Sequence, residues 1–134
     1  MTLVDTNVLL DVLTDDPIWF DWSTHQLDDL SAQGKLFIND VIYAELSVRF
    51  EEITRLEEFL RAVSVTRRPV PAAALFLAGK AYRKYRQAGG ARAGVLPDFF
   101  IGAQALVENI PVLTRDRGRY GTYFPRVQLI APIH

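Results

Sequence analysis

The chain has no cysteine among its 134 residues. Disulfides, thiolate metal sites and cysteine nucleophiles are thereby excluded. The absence agrees with a reducing cytoplasm. Histidine is scarce too. His25 lies in an acidic helical stretch and His134 is the last residue, so neither is placed to serve as a general base. No apolar run approaches membrane-spanning length. The opening Met1-Thr2-Leu3-Val4-Asp5 lacks a basic region followed by an apolar stretch, so no signal peptide is expected. There is no internal repeat, low-complexity tract or linker, and the length suits one compact domain over 1–134. Apolar content of 49% and charged content of 23% are ordinary for a globular protein.

What is present is unevenly distributed. Residues 1–60 hold 3 Lys/Arg and 13 Asp/Glu, a net −10, while residues 61–134 hold 12 and 3, a net +9. Two of the three acids in the basic half are Asp98 and Asp116. Carboxylates set in basic sequence suit a phosphodiester substrate, because arginines hold phosphates while acids hold metal.

Short apolar runs alternate with longer helical patterns, which indicates an α/β fold with a parallel sheet. Strands are expected at Thr2–Val4, Lys35–Ile38, Val63–Val65, Pro111–Leu113 and, at an edge, Gln128–Ile130. Helices are expected over Val8–Leu13 and from Asp16-Pro17 to about Gln33, with Asp16 as cap and Gly34 just past the end. A third helix follows the Asn39-Asp40 cap and carries Ile42, Leu46 and Phe50. Others span Ile53–Val63, Ala72 to about Gln87, and Pro97 to about Glu108. Gly89–Gly94 reads as a loop.

Four acids stand where such a fold brings strand ends and helix starts to one rim: Asp5, Glu45, Asp98 and Asp116. Asp5 ends the first strand, Asp116 follows the Pro111–Leu113 strand by a short turn, and Asp98 lies in the first turn of its helix. Carboxylates gathered in one pocket repel, so the pocket needs shared protons or a cation. A hard divalent metal held by oxygen ligands is the common solution. Asp5, Asp98 and Asp116 are the expected metal ligands, with Glu45 binding a second ion or orienting water. Thr6, Asn7 and Thr114 could orient these acids, although Thr6 and Asn7 serve equally well as helix caps.

Val4-Asp5-Thr6-Asn7-Val8-Leu9-Leu10, Tyr43-Ala44-Glu45-Leu46, Pro97-Asp98-Phe99-Phe100-Ile101-Gly102-Ala103 and Leu113-Thr114-Arg115-Asp116 together resemble the PIN-domain ribonucleases, most closely the VapC toxins of bacterial toxin–antitoxin pairs. The resemblance covers essentially the whole chain. It implies a three-layer α/β/α fold with a mostly parallel central sheet. It implies a Mg²⁺- or Mn²⁺-dependent endoribonuclease in which Asp5, Glu45, Asp98 and Asp116 match the acidic quartet. It also implies a cognate antitoxin that blocks the site, and a homodimer. Asp40 stands where Ser or Thr often caps the Glu45 helix.

Arg115, Arg117 and Arg119 flank Asp116 and are the expected contacts to the RNA backbone. Arg83, Lys84, Arg86 and Arg92 form a second basic set. Tyr120, Tyr123 and Phe124 offer base platforms or packing. Trp19, Phe20, Trp22, Leu27 and Leu30 suit core packing or, where exposed, an antitoxin groove. Two other readings stand beside the nuclease. A phosphotransfer receiver requires a Lys beyond a later strand, where this chain has Arg115 and Asp116. The other is a catalytically idle PIN-like module that binds RNA or protein.

Overall fold

A computed structural model gives the structure of residues 1–91 and 96–133, and of Arg119 the backbone alone. Arg92, the end of the Gly89–Gly94 loop and His134 lie outside the described residues.

Five described strands form one sheet: β1 (Thr2–Val4), β2 (Leu36–Ile38), β3 (Val65–Arg67), β4 (Val112–Leu113) and β5 (Leu129–Ile130). Their order is β3-β2-β1-β4-β5 and every pairing is parallel. The three-residue strands β1 and β2 are buried throughout, which matches their unbroken apolar sequence. From β1 the chain steps one way to β2 and β3. It then crosses over to β4 and continues the other way to β5. Right-handed crossovers place these two sets of connections on opposite faces, giving three layers. Strand order reverses between β1 and β4, so the crevice at their carboxyl ends is the expected ligand position. The Asp5 N–H donates to the Leu113 carbonyl (2.9 Å), which ties the two strand ends together.

The helices are α1 (Thr6–Leu13), α2 (Phe20–Gln33), α3 (Asp40–Ser47), α4 (Ile53–Ala62), α5 (Ala72–Gln87), α6 (Leu96–Glu108) and α7 (Gly118–Tyr123). Several boundaries differ from the sequence reading for local reasons. Asp16 caps a turn, accepting from Ile18 and Trp19 N–H groups, and α2 begins only at Phe20. Gly34 ends α2 with extended backbone, a conformation open to any residue. Asn39, not Asp40, caps α3 through the Ile42 N–H (2.9 Å), while Asp40 pairs with Arg67 (2.6 Å). β3 starts at Val65 because Ser64 takes a left-handed turn after α4. The short helix α7 has no counterpart in the sequence reading: Gly118-Arg119-Tyr120-Gly121-Thr122-Tyr123 has two glycines and no helical apolar period.

Two buried features fix the acid-bearing helices. Ala74, Ala78 and Ala81 line one face of α5 and let α6 approach closely. Gln104 of α6 and Asn39 at the start of α3 are both fully buried, and the Asn39 amide donates to Gln104 Oε1 (3.1 Å). The second link holds the Glu45 helix against the Asp98 helix. Trp22 and Leu30 are half-buried against the core and Leu27 is buried, so these members of the aromatic α2 set serve packing.

Candidate active site

Asp5, Glu45, Asp98 and Asp116 line one cavity of about 210 Å³, with Thr6, Asn7 and Tyr120. The topology puts them there. Asp5 is the exit of β1, Asp116 follows β4, Asp98 opens α6 and Glu45 lies in α3. No Lys or Arg lines this cavity among the described residues.

Asp5 occupies the cap position of α1, where an aspartate usually accepts helix N–H bonds, yet its side chain makes no cap bond. It is only 6% exposed. Its Oδ2 accepts from Thr114 Oγ1 (2.9 Å), from Tyr120 Oη (2.9 Å) and, more distantly, from Asn7 Nδ2 (3.4 Å). Thr114 Oγ1 in turn accepts from Asn7 Nδ2 (3.2 Å) and from the Asp116 N–H (3.1 Å). One threonine hydroxyl therefore links Asp5 to Asp116. This is the reason for a Thr two residues before an acid at a strand end. The Gly118 N–H donates to Asp116 Oδ1 (2.9 Å), and a side chain at Gly118 would press on that carboxylate. Thr6, whose hydroxyl could have capped α1, instead donates to Glu45 Oε1 (2.7 Å).

Among the described residues, hydroxyl and amide donors rather than cations meet Asp5 and Glu45. Burial pushes the Asp5 carboxyl above the usual range, the bonds from Thr114 and Tyr120 oppose this, and the Asp116 charge adds to it. Burial also raises Glu45, with a contribution from Asp5. The Tyr120 hydroxyl is held far towards its protonated form, mainly by burial and by the charge of Asp5. It is therefore a fixed donor.

A hard divalent cation fits this donor set, since all the acid donors are carboxylate oxygens. Among the described residues, no three acidic or imidazole side chains form a ready ligand cluster. Mg²⁺ tolerates such an open arrangement, because it keeps several waters in its shell.

Tyr120 meets Asp5, a role the sequence reading does not assign to it. It is 3% exposed, so it is no base platform, and Phe124 is equally buried. Tyr123 packs in an aromatic cluster with Phe99 and Tyr85. Arg115, expected to meet phosphate, directs its Nε at the buried Asp11 (2.8 Å). Arg117 is exposed, one residue beyond Asp116, and the side chain of Arg119 is outside the described residues.

The sequence model of the PIN domain matches residues 2–125. The chain belongs to the PIN domain family. Curated proteins give no sequence match. Solved structures share the fold at low identity. VapBC2 from Rickettsia felis, bound to a promoter DNA fragment, aligns with a TM-score of 0.74 and 18% identity over 98% of both chains. FitAcB from Neisseria gonorrhoeae aligns with a TM-score of 0.69 and 22% identity, covering 100% of this chain and 99% of that one. DNA-bound VapBC from Salmonella typhimurium gives 0.68 and 16%, covering 97% and 96%. Members of the PIN family are generally nucleases, and the acid-lined cavity of this PIN domain lies at its switch point. No helix of the described residues is long and apolar enough to cross a membrane.

Proposed function

We propose that this PIN domain is a Mg²⁺- or Mn²⁺-dependent endoribonuclease acting as the toxin of a toxin–antitoxin pair. The observation that carries the reading is the convergence of four carboxylates, distant in sequence, on one cavity. A toxin–antitoxin complex from Klebsiella pneumoniae is among the solved structures of similar fold, which supports a cognate antitoxin as partner. A homodimer in the cytoplasm completes the proposal.

Asp5, Asp98 and Asp116 would hold the ion, and Glu45 would orient the attacking water. The bound metal supplies Lewis acidity at the phosphodiester and lowers the pKa of water. Thr114 and Tyr120 keep Asp5 Oδ2 occupied, leaving Oδ1 for the ligand. Arg117 and Arg119 would hold the RNA backbone.

The test is cleavage of a panel of structured RNAs with Mg²⁺ or Mn²⁺, comparing wild type with Asp98→Ala. Cleavage by the wild type alone is expected. Equal cleavage by both rejects the assignment, and RNA binding without cleavage under either metal favours the idle binding module. Expression without the partner should arrest growth, and Asp98→Ala should relieve the arrest.

Tyr120→Phe tests the clamp on Asp5. The phenyl ring fills the same space, so the fold persists at a cost of about 1 kcal/mol for the lost bond. Mn²⁺ affinity by calorimetry should fall roughly 10–100-fold, the usual range for a group that orients a ligand. Unchanged affinity would remove Tyr120 from the site.

A further inference from the structure

A buried ion pair stands beside the quartet, and the quartet alone does not explain it. Asp11 of α1 is 1% exposed. A carboxylate so deeply buried requires partners. It receives Arg115 Nε at 2.8 and 3.1 Å, and Ser23 Oγ of α2 at 2.8 Å. The Arg115 guanidinium also lies 5.8 Å from the Trp19 ring centroid. Arg115 is the residue before Asp116, and its own N–H donates to Asn7 Oδ1 (3.3 Å). Asn7 and Asp11 are four residues apart on α1 and so share a face. That face grips the turn after β4 twice, by backbone at Asn7 and by side chain at Asp11.

We infer that Asp11 and Arg115 are positioning residues that set the Asp116 carboxylate against Asp5, with Ser23 as their anchor. The inference rests on the nuclease reading for its effect on catalysis, though the placement of the turn does not depend on it. A guanidinium spent on Asp11 acts through the turn rather than on RNA phosphate. The links join three elements: α1, α2 and the turn after β4. Misplacing Asp116 leaves RNA docking intact and weakens the metal.

The test uses the whole chain as Arg115→Lys, Arg115→Gln and Ser23→Ala. Ser23→Ala keeps the ion pair and guards against simple unfolding. Mn²⁺ affinity by calorimetry should fall roughly 10–100-fold in both Arg115 variants and less in Ser23→Ala, with kcat falling alongside and KM for RNA unchanged. A phosphate contact would instead raise KM, lower the salt slope by about one and leave Mn²⁺ affinity unmoved. That pattern overturns the inference. Amide exchange at Arg115 and Asp116 should be at least about tenfold faster in Arg115→Lys, with Leu36–Ile38 unchanged. Unaltered exchange at the turn also overturns it. A wild type that neither binds Mn²⁺ nor cleaves RNA removes the nuclease reading instead, and the exchange result still decides the positioning role.

Discussion

Asp5→Asn should abolish RNA cleavage and, in chelator at neutral pH, raise thermal stability. The first effect follows from losing the most buried acid of the cavity. If the metal contributes several kcal/mol to the transition state, its displacement costs about 1,000-fold, at a factor of ten per roughly 1.4 kcal/mol. The second effect follows from electrostatics. Asp5 and Glu45 both have carboxyls raised above their ordinary values of 3.8 and 4.5, by burial first and by neighbouring acids second. A group whose folded pKa is raised favours the fold fully below its unfolded pKa, and that contribution is lost as pH rises through the folded value. Ionising Asp5 in the metal-free protein therefore costs the fold stability. The substituted amide would remove the charge while its carbonyl oxygen still accepts from Thr114 and Tyr120. The variant should unfold a few degrees higher, at about 3–5 °C per kcal/mol for a chain of this size. The gap should narrow as pH falls and the Asp5 carboxyl takes up its proton. Mn²⁺ should raise the midpoint of the wild type and not of the variant. Melting curves across pH, with chelator and with Mn²⁺, check all three. A variant less stable than wild type at neutral pH in chelator would refute the account of unrelieved charge at Asp5.

Gly102→Val should cost about 3 kcal/mol, whereas Gly79→Ala should gain about 0.5–1 kcal/mol. Both glycines lie inside helices, where glycine is normally a weakness worth up to about 1 kcal/mol against alanine. Packing gives them opposite signs. Gly79 is exposed on α5 and a Cβ there meets nothing within 4 Å. Gly102 is buried in α6, and a Cβ there would overlap the Phe124 ring, 2.7 Å from Cε2. Phe124 is 3% exposed and packs edge-on against Phe99, so the ring has little room to yield. Overpacking of this kind costs about 1–3 kcal/mol and occasionally more. A displaced Phe124 also pulls on α7 and hence on Tyr120, so the Gly102 variant should lose Mn²⁺ affinity as well. Urea unfolding checks the two energies, and equal effects at both glycines would show that helix propensity alone governs them.

The alternation of apolar runs with helical patterns was enough for the α/β class and the edge position of β5, whereas the central place of β1 came from the strand order. Three of the four acids were legible because Asp5 and Asp116 follow strands and Asp98 stands in the first turn of a helix, and a parallel sheet brings such positions to one rim, while Glu45 lies about one turn inside α3. Helix α7 was not legible, since six residues with two glycines carry no period. Tyr120 and Asp11 were hidden for a different reason. A tyrosine among arginines and an aspartate inside a helix have no local signature of their roles. Their partners, Asp5 and Arg115, lie 115 and 104 residues away in the chain. Sequence by itself determined which elements form and where the carboxylates sit on them, because backbone periodicity and strand ends are local properties. Only the tertiary structure decided which hydroxyls and cations each carboxylate meets, because hydrogen bonds across the β1–β4 switch point depend on fine differences of position that no spacing along the chain encodes.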